Sequence, residues 1–308
     1  MARDFQQVEW SAVVEDDCRQ IVRLAVREDL DRWHDWTTLA LVPADTPGKA
    51  AVLARKHGVV AGLPACEVVL REMNARLNWA PRLTDGDQVA PGAVLAHIEG
   101  SCRDLLICER LLLNMLGRLS GIATLTREFV QAVAGHSARI YDTRKTTPGW
   151  RRLEKYAVRC GGGHNHRTGL FDAVLIKDNH LAACGNPATG VPLSPAEAVR
   201  RVRAFLESHL PEERRLAMLI EVEVDTLEQL ESVLPTAPDL VLLDNMQPDQ
   251  LRAAVARRNQ VAPQVQLEAS GGISRETVGG VAAAGVDRIS VGALTHSAVA
   301  LDVGLDWL

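Results

Sequence analysis

"AMLIEVEVDTLEQLESVLPTAPDLVLLDNM", residues 217–246, holds a short apolar run that breaks into acidic residues, a helix-like stretch, and a second apolar run that again ends in a carboxylate. The same pattern recurs in "ARIYDTRK" (138–145), "DAVLIKDNH" (172–180), "QVQLEASGG" (264–272) and "DRISVGALTHS" (287–297). Continuous apolar runs of this kind suit strands buried on both faces, as in parallel sheets. Helix signals lie between them. In "SPAEAVRRVRAFLESH" (194–209), Ser194 is placed to cap the helix, Pro195 to open it and Glu197 to complete a capping box.

Strands that alternate with helices imply either an open doubly wound sheet or a closed barrel. No GxGxxG motif follows any of these strands, which argues against a dinucleotide fold. Instead, polar residues gather at the carboxyl ends of successive strands, the way a β/α barrel assembles its active site at one mouth. Six legible strands between about residues 118 and 296 fall short of the roughly 250 residues of a full barrel, so an incomplete barrel is expected. Residues 1–117 read as a smaller α+β domain, with strands and a helix in "KAAVLARKHGVVAGLPACEVVLREM" and a strongly helical "SCRDLLICERLLLNMLGRLSGIATLTREFVQAVAG" leading into the barrel.

With 308 residues, 47% of them hydrophobic, the chain is long enough for a large core. Its formal net charge is −5, yet residues 142–167 carry seven cations against Asp142 and Glu154, a local +5 that leaves −10 for the rest. One compact basic segment in an acidic chain suits a small, densely charged anion better than nucleic acid or a membrane surface. Six cysteines without a CxxC pair, and a start lacking an apolar leader core, point to a reducing, cytoplasmic setting. No apolar run approaches the about 20 residues of a membrane span.

Each strand end offers chemistry. Arg144 and Lys145 follow "RIY", His166 and Arg167 sit in a Gly-rich loop, and Lys177 follows "AVLI". Arginine's planar fork matches carboxylates and phosphates. Arg151, Arg152, Lys155 and Arg159 read instead as a solvated helix face. Cys160, His164 and His166 raise a metal reading, but C-x3-H-x-H matches no common structural zinc pattern. Glu221 and Glu223, two apart, point to one side of their strand, and Asp244 ends the next. Such carboxylates either hold Mg2+ on a polyphosphate or act as counter-ions to the cations. The loops carrying Ser270, Gly271, Gly272 and Gly292 follow the last two strands, where barrels commonly bind a phosphate. Together these parts suit a ligand with a 5-phosphate and a diphosphate leaving group, meeting a small polyacid.

The motifs "ERLLLNMLGRLSGIAT", "DTRKTTPG", "EKYAVRCGGGHNHRTGLFDAVLIKDNH", "EVEV", "LLDNM", "EASGGI" and "ISVGALTHSA" closely resemble those of quinolinate phosphoribosyltransferases, in order and over most of the chain. The resemblance implies an N-terminal α/β sandwich (1–117, with a C-terminal tail from about 297 to 308 packed on it) and an incomplete, seven-stranded β/α barrel (118–296). It also implies decarboxylating transfer of phosphoribose from phosphoribosyl diphosphate to quinolinate, giving nicotinate mononucleotide, CO2 and diphosphate for NAD synthesis, with Mg2+.

By motif, the carboxylates of quinolinate are expected at Arg144, Lys145, His166, Arg167 and Lys177, with Arg110 supplied across a head-to-tail homodimer that could assemble further to a homohexamer. Glu223 and Asp244 are expected to face the ribose and to hold magnesium diphosphate, and Ser270, Gly271, Gly272 and Gly292 to lie near the phosphate. Lys145 and Lys177 are the candidates to stabilise the developing carbanion, which makes these lysines, Glu223 and Asp244 the expected catalytic set. A related enzyme using another base, a Schiff-base aldolase built on Lys177, and a non-enzymatic anion sensor are the competing readings.

Overall fold

The computed structural model describes residues 3–185 and 190–308, which form two compact units. One contains residues 7–128, 145–163 and 292–308. Its strands are β1 (Pro47–Ala54), β2 (Gly58–Val59), β3 (Leu77–Pro81), β4 (Gln88–Val89) and β5 (Val94–Ser101). The last strand of the chain, Val303–Trp307, pairs antiparallel with β1, so the sheet order is Val303–Trp307, β1, β5, β3. Ala50, Val52 and Ala54 alternate along β1 and are all buried, as a strand with one covered face requires. The helices Ala12–Leu30 and Leu63–Glu72 bury Val14, Cys18 and Val22 on the first and Cys66, Val68 and Val69 on the second.

The long helix Cys102–Ala132 carries the "GRLSG" motif, whose spacing puts Gly117 and Gly121 on one face. Backbone passes directly over that face. Leu301 N–H donates to the Gly117 carbonyl at 2.8 Å, and a Cβ on Gly121 would lie 2.1 Å from the Val299 oxygen. Arg118, between the two glycines, donates to the carbonyls of Ala298 (3.1 Å) and Thr295 (2.6 Å) and pairs with the fully buried Glu154 at 2.5 Å. Glu154 also accepts the backbone N–H and hydroxyl of Thr147, at 3.1 and 2.8 Å. The motif thus fixes both the final segment and the loop that begins at Lys145.

The other unit contains residues 3–6, 129–144 and 164–291. Its strands, β6 (Arg139–Tyr141), β7 (Ala173–Ile176), β8 (Leu219–Val224), β9 (Leu240–Asp244), β10 (Gln266–Ser270) and β11 (Arg288–Ser290), form one sheet in the order β6-β11-β10-β9-β8-β7. Every neighbouring pair is parallel, which gives the expected incomplete β/α barrel. Among the described residues the sheet has six strands, not the expected seven, and beyond β6 His164 makes only an isolated parallel bridge to Tyr141. Three glycines precede it and leave little side chain to pack as a strand.

The helix Pro195–His209 opens as the sequence predicts, with Pro195 at its start and Ser194 Oγ accepting the Glu197 N–H at 3.3 Å. The capping box is only half made, because the Glu197 carboxylate is taken by Arg200 and Arg201 at 2.8 and 3.2 Å.

Strand alternation sorts the inner side chains by depth. Phe5, Tyr141, Ala173, Leu219 and Leu240 form an apolar cluster. One step further along the strands come Glu221 and Glu268, both fully buried, and then Glu223, Asp244 and Ser270 at the carboxyl ends.

Replacing Gly121 with Ala forces a methyl into backbone, and overpacking of this kind costs about 1–3 kcal/mol. Gly117→Ala, whose Cβ would meet the Leu301 oxygen at 3.0 Å, is the milder change. Urea unfolding is expected to rank Gly121→Ala below Gly117→Ala in stability; equal loss would contradict the close-approach account.

Candidate active site

The carboxyl end of β6 runs into Asp142, which is fully buried and accepts Asn165 Nδ2 at 2.7 Å and the His166 N–H at 2.8 Å. The Asp142 N–H donates in turn to the His164 carbonyl at 3.0 Å, and the His164 N–H to the Ile140 carbonyl at 2.8 Å. These bonds hold the "HNHR" segment against a strand with which it shares a single sheet residue.

Arg167, 7% exposed, follows at once and donates Nη1 to the Ala173 carbonyl at 3.3 Å. Burial pushes its guanidinium below the usual arginine range, and the neighbouring charge of Arg144 pushes it further the same way. Two like charges brought together in a poorly hydrated place are an invitation to an anion.

His166 is expected among the substrate contacts, but its ring is only 5% exposed and both nitrogens are engaged within the protein. Nδ1 accepts the Arg167 N–H at 2.8 Å, so the ring proton sits on Nε2, which lies 2.9 Å from Glu221 Oε2 and 3.5 Å from Glu268 Oε1. His166 thus holds the backbone of Arg167 through its Nδ1. Glu268 is pushed up to about 7, first by burial and then by Glu221, against the pull of His166 and Arg288. The ligating atoms of His166, Glu221 and Glu268 lie within 4.8 Å of one another. The 2.9 Å contact sets His166 Nε2 against Glu221 inside the protein, and burial beside Glu221 raises Glu268, so we read the trio as a buried polar cluster.

Lys177, at the end of β7, caps the short helix Asp178–Ala183, and its ammonium is bound by the Glu223 carboxylate. Burial raises Glu223 above the usual carboxylate range, the Lys177 contact opposes that, and the charges of Asp244 and Asp178 add to the rise. Asp244, at the end of β9, accepts Asn245 Nδ2 at 2.7 Å and stands opposite Ser270 in register.

Asn245 itself adopts φ 54° and donates its N–H to the Ser270 carbonyl at 2.9 Å. Its side chain lies where a Cβ on Gly271 would come within 2.1 Å of Oδ1, and Gly271 has φ +97°. Glycine is therefore required there. Gly272 (φ +60°) has open space around it.

Three expected site residues belong to the other compact unit. Arg110 is exposed on the helix Cys102–Ala132. Lys145 is exposed, with its carbonyl accepting Thr295 Oγ1 at 2.7 Å. Gly292 opens the turn Ala293–His296, where a Cβ would meet Lys145 Cδ at 3.0 Å.

The solvated-face reading of the basic helix is corrected by the structure. Lys155 is fully buried, Arg152 pairs with Asp17 at 2.7 Å, and Arg159 donates to the Gly163 carbonyl at 2.8 Å. The helix Arg151–Cys160 also buries Leu153, Glu154, Ala157 and Val158, so it has little free surface to spare for charge. The Cys160 thiol is pushed up to about 12 by burial and by Asp85, unlike a metal-bound thiolate, and the His164 ring stacks on Tyr141 at 5.3 Å.

Sequence reading missed the Asp142 clamp and the union of His166 with Glu221 and Glu268. The period-two spacing of Glu221 and Glu223, with Glu268 two residues before Ser270, was the available signal.

An incomplete β/α barrel with paired cations, strand-end carboxylates and a glycine turn defines a phosphoribosyltransferase-like class. Comparison with known proteins narrows it. Residues 122–306 match the family described as "Quinolinate phosphoribosyl transferase, C-terminal domain", and residues 35–120 match its N-terminal domain. The chain belongs to the quinolinate phosphoribosyltransferase family.

It is 46% identical over 293 residues to a carboxylating nicotinate-nucleotide pyrophosphorylase of Mycobacterium leprae, covering 94% of this chain and 97% of that one. It is 38% identical over 304 residues to a mitochondrial decarboxylating quinolinate phosphoribosyltransferase (2b) of Nicotiana tabacum, covering 94% and 82%. Among solved structures, the nicotinate-nucleotide pyrophosphorylase of Francisella tularensis superimposes with a TM-score of 0.86 at 32% identity, over 99% of this chain and all of that one.

The buried trio has a measurable signature. Below the ordinary carboxyl value of 4.5, Glu268 is protonated whether the chain is folded or not; between 4.5 and about 7 only the folded chain keeps the proton. Stability contributed at this site therefore falls as pH rises through that window, by something on the order of 3 kcal/mol. Glu268→Gln is expected to be progressively more stable relative to the parent between about pH 5 and about pH 8 in denaturant unfolding; a constant difference would refute the assignment.

Proposed function

We propose that the chain transfers phosphoribose from phosphoribosyl diphosphate to quinolinate with loss of CO2, forming nicotinate mononucleotide and diphosphate in the de novo route to NAD. The observation that carries this reading is the buried Arg167 beside the half-buried Arg144, with the Arg167 backbone held through Asp142 and His166, in a chain of this family. Quinolinate brings one carboxylate for each of the two guanidinium groups.

The reaction suits what these residues can do. The pyridine nitrogen attacks the anomeric carbon while the bond to the diphosphate oxygen breaks, so no activating base is needed. Positioning and charge stabilisation carry the step. Loss of CO2 from the carbon beside the ring nitrogen leaves an electron pair on that carbon, which then takes up a proton. Lys177, and Lys145 next in the chain to Arg144, are the candidates to neutralise that pair.

Glu223 and Asp244 offer hard oxygen donors close enough that each charge is felt by the other, the donor set that suits Mg2+ shared with a diphosphate. Bound there, the ion would neutralise the leaving group. The Lys177–Glu223 contact must then yield, which would free the ammonium for the substrate. Ser270, Gly271 and Gly272 would receive the 5-phosphate through backbone N–H groups.

We propose further that the protein works in the cytoplasm as a homodimer in which the exposed Arg110 serves the partner's site. Six free cysteines suit a reducing compartment, and no helix among the described residues is long and apolar enough to cross a membrane. A Schiff-base role for Lys177 is disfavoured because its amine is held by Glu223 as an ion pair.

With phosphoribosyl diphosphate and magnesium, quinolinate is expected to give nicotinate mononucleotide and one CO2 per turnover, while nicotinate gives no product. Product from nicotinate, or none from quinolinate, would overturn the proposal. Removing one charged group from such a site typically costs about 10²–10³-fold in kcat, the loss expected for Lys177→Met and Asp244→Asn. Chelation of magnesium should abolish turnover and its return restore it.

A further inference from the structure

Residues 3–6 belong to the barrel unit. Asp4 accepts the Tyr141 hydroxyl at 2.9 Å and pairs with Arg288, itself 2% exposed, at 3.0 Å. Arg288 Nη2 donates to the Arg3 carbonyl at 3.1 Å, and Arg3 spans Asp239 and the Met218 carbonyl, both at 2.8 Å. These contacts anchor the peptide to β6, β11 and the residues just before β8 and β9. Between the anchors Phe5, 5% exposed, lays its ring on the imidazole of His166 with centroids 4.3 Å apart and planes inclined by 29°. The guanidinium of Arg288 lies 5.3 Å from the Phe5 centroid.

Nothing in the transfer chemistry uses this peptide, yet it covers one face of the ring whose nitrogens hold Arg167 and Glu221. We infer that Phe5, seated by Asp4, is a positioning residue: it fixes the plane of His166 and through it the Arg167 backbone, setting affinity for the carboxylated ring. Glu221 and the Arg167 N–H approach the imidazole at its edge, one at each ring nitrogen, whereas Phe5 lies against its face. A flat group on the face opposes tilting of the ring out of its plane, and an aliphatic group of like volume does so poorly.

The inference rests on the proposed function for its kinetic readout, so a second readout is independent of it. In the full-length protein, Phe5→Ala and Phe5→Leu are compared with the parent, varying each substrate in turn. Ring nitrogen–proton correlation spectra of His166, assigned with His166→Gln, are recorded on the same proteins. A displacement of about 1 Å can cost about 10²-fold, so Phe5→Ala is expected to raise the KM for quinolinate at least about ten-fold and leave that for phosphoribosyl diphosphate within about two-fold. The Nε2–H signal of His166 should shift or broaden. Phe5→Leu should recover thermal stability without recovering quinolinate affinity, and it decides the matter if Phe5→Ala does not fold.

An unchanged quinolinate KM and an unchanged His166 spectrum in Phe5→Leu would overturn the inference and reduce the peptide to a space-filling plug. If the parent itself fails to use quinolinate, the proposed function falls, while the His166 spectrum still decides whether Phe5 positions the ring.

Discussion

The buried carboxylate of Asp142 is the contact on which the candidate site depends. A charge with no solvent access must be satisfied inside the protein, and here the Asn165 amide and the His166 N–H do so. In exchange the segment 164–167, which has one residue of sheet pairing to hold it, is drawn onto β6. Arg167 and Arg144 are then brought near each other in spite of their repulsion. Removing one partner of such a buried, charge-assisted set leaves the other unsatisfied, which is why a carboxylate deep under the cations is a constraint on their positions and more than a counter-charge.

Depth in the barrel separates groups that would otherwise cancel. Glu221 and Glu268 lie one strand step below Glu223 and Asp244, and the imidazole of His166 lies between the lower pair and Arg167. The lower carboxylates are fully buried, and the charge of Glu221 acts on Arg167 against the effects of burial and of Arg144. The upper carboxylates are partly exposed, and Glu223 has taken the ammonium of Lys177. Cation and anion at the mouth thus satisfy each other.

Most of this was legible in sequence where function and strand ends coincide. The apolar runs located all six strands, and the residues that follow them are the ones the structure places at the carboxyl ends of the sheet. Two kinds of feature were not legible. Contacts between residues remote in sequence, such as Phe5 on His166 or Arg118 under Thr295 and Ala298, leave no local pattern. Burial of charge also opposes the usual rule that a basic helix face is solvated. Lys155 and Arg152 break that rule because the helix bearing them is enclosed and its charges find partners, a property of packing that residue type does not disclose.

The two glycine motifs show how differently one residue type acts. Gly117 and Gly121 have ordinary helical backbone and matter for the missing side chain, which lets the 298–301 segment approach to hydrogen-bonding distance. Gly271 matters for both reasons, since its positive φ and the nearby Asn245 side chain each exclude a Cβ. Gly272, next in the same turn, has open space where a Cβ would stand. A phosphate can approach such a surface closely because there is nothing to displace. Only a glycine turn supplies that access without first giving up a packed side chain.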